Sequence, residues 1–379
     1  MWQRWRGRGR TAHPPAPAAP AAPAATPLDD ALPLIEVRDH AGVRTVLRDP
    51  ALFTAAGVLD LGQRRPLVPL QADPDRHPML RSVMDPVFSP VAVRAHEAEL
   101  RRRAAELLRE REHRDSVDLN ERLARRLPFH ALSTLLDLDT GIEQLRELHD
   151  GILGPAAVAA DRTLVGDRIW ELFAPVVVDR RAGNGADLIS TLQRARASGA
   201  PIAEDDITSL CYLLLLAGID PVVRALSSLF AHLAPLVDDR RALLADVESM
   251  RGTVEELLRW SGGVSQLTRG ATAATEVSGR AVAPGQRVGC LIAEANRDPL
   301  AFDRPDRFDP GRSNAAHLAF GYGAHRCIGA HLARLELVVA AEVAEEELPG
   351  YRPGPGAFPP ADDPAPTSPL VVVFDPAAH

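Results

Sequence analysis

Lysine is missing from the 379-residue sequence, so all 43 strongly basic side chains are arginines. With abundant alanine and 33 prolines, that bias points to a GC-rich bacterial genome rather than to any chemistry. Cysteine is scarce: three residues far apart exclude a disulfide framework and make a reducing cytoplasm the expected compartment. Aromatic residues make up 4% and offer no evident stacking platform. The longest apolar run, residues 210–219, falls short of the roughly 20 residues a membrane span needs, so no span is expected. Acidic side chains exceed basic ones to give a net charge of −8, which argues against nucleic acid as a partner because phosphate binding calls for a basic surface.

What is present is a composition 46% hydrophobic and 25% charged, enough to bury a large core. Residues 1–10 mix Arg with Trp2 and Trp5, and Pro/Ala repeats follow to about Pro27, without an apolar core of signal-peptide length. Residues 1–33 are therefore expected to be a disordered tail, and residues 34–379 a single domain. Along that domain a strand is expected over 34–37 and a helix over 41–47. Ser89 and Pro90 supply a cap and a first-turn proline for a helix of twenty-odd residues with Val93, Leu100, Ala104 and Leu107 on one face. Helical patterning continues to about residue 178, breaks at 183–187 and resumes over 188–197. One long helix is expected from about 204 to 236. Short β-like pieces follow residue 260, among them 271–277, 286–292 and 369–374. The pattern is mainly α with a minor, late β portion.

The most specific segment runs from Phe320 to Gly329: Phe320, Gly321, Tyr322, Gly323, Ala324, His325, Arg326, Cys327, Ile328, Gly329. The glycines permit conformations and close approaches that side chains would block. The apolar, helically spaced stretch from residue 330 places Cys327 just before a helix N-terminus, whose amides stabilise an anionic sulfur. Cys327 thus reads as a metal-bound thiolate. Cys211 and Cys290, each in an apolar run without a motif, read as buried hydrophobes. A zinc site from His325, Cys327 and His331 lacks a fourth ligand. The Gly-x-Gly is not a dinucleotide fingerprint, because Arg326 stands at the third glycine position.

In these residues the chain resembles the cytochrome P-450 superfamily of haem-thiolate monooxygenases, a likeness that covers nearly everything after about residue 34. The resemblance implies the P-450 fold, with a long central helix over the haem, and haem b held axially by Cys327, beside Phe320. It also implies a Glu-x-x-Arg element at Glu256 and Arg259, completed by Arg307 in a buried network that is structural in role. Partners for the haem propionates would be His77 and Arg81, four apart, with Arg269 and His325.

The family places an acid and a threonine on the central helix. Here Asp220 holds the acid position and Pro221 replaces the threonine. Proline has no amide to bond the Ala217 carbonyl, so the helix should open at Ala217–Gly218 and form a groove, without the hydroxyl that would hold water. The leading expectation is a cytoplasmic monomer that inserts one oxygen atom from dioxygen into a small, largely apolar substrate, a bacterial natural-product intermediate. Electrons would come from NAD(P)H through a separate ferredoxin and ferredoxin reductase, docking near Arg326 and Arg101 to Arg103. The alternatives are a peroxide-using or otherwise atypical haem-thiolate enzyme, and a non-catalytic helper protein, which the retained Cys327 argues against. The resemblance draws the substrate pocket from residues 53–71, 152–168, 213–221, 264–267 and the surroundings of Thr367.

Overall fold

Helices carry the architecture of the computed structural model, which describes residues 28–375 apart from positions 30, 73, 111–112, 114, 155–156, 158, 198, 262, 313–315, 356–357 and 360–368. The tail expected over residues 1–33 falls mostly outside the described residues, as does Thr367. The main helices are α1 (His40–Arg48), α2 (Arg76–Met84), α3 (Glu97–Arg109), α4 (Ile142–Leu153), α5 (Ala159–Asp179), α6 (Glu204–Ala217), α7 (Asp220–Leu233), α8 (Val247–Ser261) and α9 (Ala330–Glu347). Local chemistry starts several of them. The Asp39 carboxylate accepts the Gly42 amide at the head of α1, and the Ser89 hydroxyl accepts the Ala92 amide ahead of Pro90. The helix begun at Pro90 ends at Arg94 and the chain re-enters helix at Glu97, so the long run expected there is two pieces. Val93, Leu100, Ala104 and Leu107 are buried all the same.

The helix expected over 204–236 is likewise divided. The Gly218 amide closes α6 on the Leu214 carbonyl, and α7 begins again at Asp220, where the Val222 and Val223 amides both turn back to the Ile219 carbonyl. Pro221 stands in the first turn of α7, the one place in a helix where a missing amide breaks no bond. Taken together, α6 and α7 (Glu204–Leu233) form the one helical stretch among the described residues long and apolar enough to cross a membrane, yet most of it is core.

The strands are β1 (Ile35–Val37), β2 (Phe53–Thr54), β3 (Ser116–Asp118), β4 (Gln266–Ala271), β5 (Thr275–Val277), β6 (Arg280–Val282), β7 (Arg287–Leu291), β8 (Arg352–Pro353) and β9 (Val371–Val373), besides a short hairpin at Arg196–Ala197 and Ala200–Pro201. A four-stranded sheet has the order β1, β7, β4, β2, with β1 parallel to β7 and the other pairs antiparallel. Strand β3 was not anticipated inside the helical half. It is three residues long and holds only because β9 pairs with it from the far end of the chain, Val372 opposite Val117. Pairing of this kind has no local signature.

Three apolar clusters fill the interior: one where α3, α7, α8 and α9 meet, one around α2, α4, α5 and α6, and one beneath the four-stranded sheet. Leu226, Leu229, Phe230 and Leu233 of α7 lie fully within the first. Each such side chain contributes about 1.5–3 kcal/mol on leaving water. Phe230→Ala should therefore destabilise the protein by about 3–5 kcal/mol, read as a lowered denaturation midpoint at unchanged slope.

Candidate active site around Cys327

The loop that carries Cys327 is shaped by its backbone. Gly321 and Gly323 have φ of +68° and +72°, which side chains resist, and a Cβ on Gly323 would lie 2.4 Å from the Leu47 carbonyl oxygen at the end of α1. The Cys327 amide donates to the Phe320 carbonyl at 2.8 Å, and the Gly329 amide donates to the Cys327 sulfur ahead of α9. Protein crowds Cys327 closely while part of its surface remains exposed, as for a residue on the floor of a recess. Crowding pushes the thiol up from its ordinary value, against the Gly329 amide and the charges of Arg81, Arg326 and Arg334. One amide at the helix start is thus too little to ionise this sulfur; a metal cation would supply the missing charge.

The sheet and α2 bring the other predicted residues together. His77 and His325 stack with ring centroids 4.3 Å apart, and each leaves one buried ring nitrogen, Nε2 of His77 and Nδ1 of His325, without a partner. Burial, with the neighbouring charges of His77, Arg269 and Arg81, pushes His325 down to about 3; burial and Arg81 lower His77 as well. Both rings are neutral at neutral pH. Arg269, buried on β4 opposite Val288, donates to the Thr268 carbonyl, and among the described residues no carboxylate pairs with it. Burial lowers its pKa. Arg81 bonds Asp85 at 2.7 Å and the Arg326 carbonyl at 2.8 Å, which ties α2 to the cysteine loop. A buried cation without a counter-charge is costly. Two carboxylates would satisfy this donor set, and haem brings two; the residues fit the group.

Behind the loop lies the network anticipated at Glu256, with one member corrected. Arg259 grips both oxygens of Glu256 at 2.8 Å, and the two side chains are 1% and 3% exposed. The third side chain is Arg312, whose Nε reaches Glu256 at 3.1 Å. Arg307 has an exposed side chain and contributes its backbone carbonyl, which accepts from Arg259 and Arg312. The turn over residues 303–312 points carbonyls inward and the Arg307 side chain outward, which a sequence motif does not reveal.

A second clamp went unforeseen. Arg334 of α9 and His317 both bind Glu255 of α8. Burial would raise this carboxyl, but hydrogen bonds from Arg334 and His317 hold it down to about 2. Its stabilisation is present above the ordinary value near 4.5 and is lost as pH falls through about 2. Phe320 lies beneath Arg334, with the guanidinium 4.4 Å from its ring centre.

A cavity of about 380 Å³ is lined by Leu59, Leu61 and Leu70, by Leu153, by Ala217, Asp220 and Pro221 at the helix break, and by residues 263–269. Four of the five stretches expected to form the pocket contribute; the fifth is outside the described residues. Arg101, Arg102 and Arg103, by contrast, do not form a free basic patch. Arg101 pairs with Glu97, Glu342 and Glu346, and the other two with Glu99 and Glu106.

A family model described as cytochrome P-450 matches residues 176–342. The erythromycin C-12 hydroxylase of Saccharopolyspora erythraea is 33% identical over 322 residues, 80% of this chain and 79% of its own. The cytochrome P-450 monooxygenase PikC of Streptomyces venezuelae is 32% identical, covering 74% of this chain and 68% of its own. Among solved structures, a mutant of P-450 EryK in complex with erythromycin B superposes with a TM-score of 0.78 at 30% identity over 89% of this chain and 90% of that one.

The corrected network makes a contrast that can be measured. Arg312→Ala should cost about 3–5 kcal/mol in chemical denaturation, because it strips a cation from a buried carboxylate. Arg307→Ala, at an exposed side chain, should stay within about 0.5 kcal/mol.

Proposed function

The chain belongs to the cytochrome P-450 family, several of whose members at this similarity are named hydroxylases or monooxygenases, and from that premise we propose that Cys327 would hold the iron of haem b through its thiolate. The substrate is a small, largely apolar natural-product intermediate, and dioxygen supplies the inserted atom. The observation that carries the reading is the convergence of His77, Arg81, Arg269 and His325, unpaired with any carboxylate except Asp85, beside the Cys327 loop. The named relatives support the substrate class, since one is a hydroxylase of erythromycin.

When bound, haem supplies the oxygen-binding iron and the electron store, and thiolate ligation favours cleavage of the O–O bond. This chain's residues do the rest. Arg81 and Arg269 would neutralise the propionates, and His77 and His325 would hydrogen-bond them as neutral rings. The Glu256 and Glu255 clamps keep the cysteine loop from shifting. The leucine-lined cavity binds the substrate by burial and excludes water. Asp220 stands at the break between α6 and α7, where Ala217, Gly218 and Pro221 open the helix, and passes protons into the cavity. No hydroxyl accompanies it at 221, so an ordered water or a substrate hydroxyl carries the proton onward.

Electrons would come from a ferredoxin and its reductase, the partners that likeness to the bacterial relatives suggests. Docking falls to the exposed Arg326 beside Cys327, the arginines at 101–103 being already paired. Pro221 also favours a second reading, in which peroxide replaces dioxygen and reductase; turnover on hydrogen peroxide with the redox proteins omitted supports it, whereas turnover that requires NAD(P)H, dioxygen and the redox proteins supports the first.

Reduced protein under carbon monoxide should give a thiolate-type difference spectrum that Cys327→Ala abolishes; a retained spectrum overturns the ligand assignment. Pro221→Thr should raise the fraction of reducing equivalents recovered in product by about tenfold or less if the missing hydroxyl limits turnover. Unchanged recovery would show that another group already relays the proton.

A further inference from the structure

Two arginines line the 380 Å³ cavity, and they come from different elements. Arg269, on β4, belongs to the set of donors beside the Cys327 loop that fits two carboxylates. Arg224 stands apart from that set, on α7, one helical turn after Asp220. Residues three and four apart share a helix face, so Asp220, Pro221 and Arg224 meet the cavity as one strip. Arg224 is the cationic end of that strip.

The carboxylate best spaced to pair with Arg224 is Asp220, and it is turned to another partner. One of its oxygens lies 3.3 Å from Nε2 of His149 on α4, whose Nδ1 bonds Asp150 at 3.0 Å. That contact borders a separate cavity of about 170 Å³, which Asp220 also lines and Arg224 does not. Among the described residues, the Arg224 guanidinium makes no ion pair and no hydrogen bond. Arg180, Arg240 and Arg259, which are more buried, each grip a carboxylate. The exposed Arg224 side chain is left to solvent.

Solvation serves a cation only while water can reach it. The cavity is otherwise lined largely by Leu59, Leu61, Leu70, Leu153 and Leu216, so a ligand that fills it drives water from the guanidinium. A wholly apolar ligand would leave the charge desolvated and unmatched, a cost set against everything its burial returns. A carboxylate at that end of the ligand replaces the lost water with charge-assisted hydrogen bonds. The planar guanidinium offers two parallel donors to the two carboxylate oxygens, a match that a neutral amide or ester cannot make. A phosphate monoester fits less well, because its second charge would find no further free cation once Arg269 is committed.

We propose that Arg224 determines specificity in the substrate cavity by binding the carboxylate of a substrate whose remaining body is apolar. The inference rests on the function proposed above and narrows its substrate to an apolar monocarboxylic acid. The leucines hold the body by burial, and Arg224 fixes which end lies against α7. With one end anchored, the carbon presented for oxygen insertion is set by its distance from the carboxylate.

The test compares one acid with its neutral isostere on the ferric holoprotein. Cyclohexanebutyric acid and its primary amide have nearly the same shape and differ in charge. Titration calorimetry at neutral pH should show the acid binding about ten- to a hundredfold more tightly than the amide, the range of hydrogen bonds to a charged group. The acid should also shift the haem absorption band, which places it in this cavity. Arg224→Gln should erase the acid's advantage and leave amide binding nearly unchanged, and Arg224→Lys, which keeps the charge, should retain most of it. Equal affinity for acid and amide in the parent protein, or an advantage that survives Arg224→Gln, overturns the assignment. A thiolate-type carbon monoxide spectrum in each variant certifies folding and haem binding. Its absence from the parent protein would sink the proposed function instead, while calorimetry would still decide whether Arg224 takes the acid.

Discussion

A carboxylate that is 3% exposed must be matched or it unfolds what surrounds it, and Glu256 is the carboxylate on which this molecule turns. Arg259 meets it from the same helix, three residues on. Arg312 meets it from a loop more than fifty residues later, and the Asp309 amide donates to it as well. Arg259 then spends its remaining donors on the carbonyls of Asn296, Pro305 and Arg307. One buried charge therefore pins the irregular stretch that leads into the cysteine loop, where helix or sheet bonding is not available to do so. Glu255, its neighbour in sequence, points elsewhere and ties α8 to α9 through Arg334. Between them these two carboxylates hold the segment before Cys327 and the helix after it.

With those elements held, the chain can be irregular elsewhere. The break between α6 and α7 exposes Ala217 to the cavity and puts Asp220 at a helix start, the positive end of the helix, where a carboxylate is well placed. Pro221 follows it in the first turn, and Asp220 lines two cavities.

Much of this was legible in the chain. The glycines around Cys327, the four-residue spacing of His77 and Arg81, the three-residue spacing of Glu256 and Arg259, and the break at Pro221 are all short-range patterns, and short-range patterns follow from helix geometry and backbone sterics. Arg312 was misread as Arg307 because two arginines five residues apart in a turn differ only in which way the turn aims them. His149 gave no signal at all: a lone histidine in an amphipathic helix meets Asp220 and Asp150 only after α4 has packed near the α6–α7 break. Strand β3 is a case of the same kind, since three residues become a strand only when β9 arrives from more than 250 residues away.

By itself, then, the sequence determined the helical class, the place of the thiol and the kind of charge around it, because these depend on neighbours within a turn or two. Which arginine completes the buried network, which arginines are cancelled by partners, and which histidine stands behind the acid were decided only by tertiary structure. Electrostatic and hydrogen-bond partnerships act through distance in space, and a linear order of residues carries that distance only where the chain stays local.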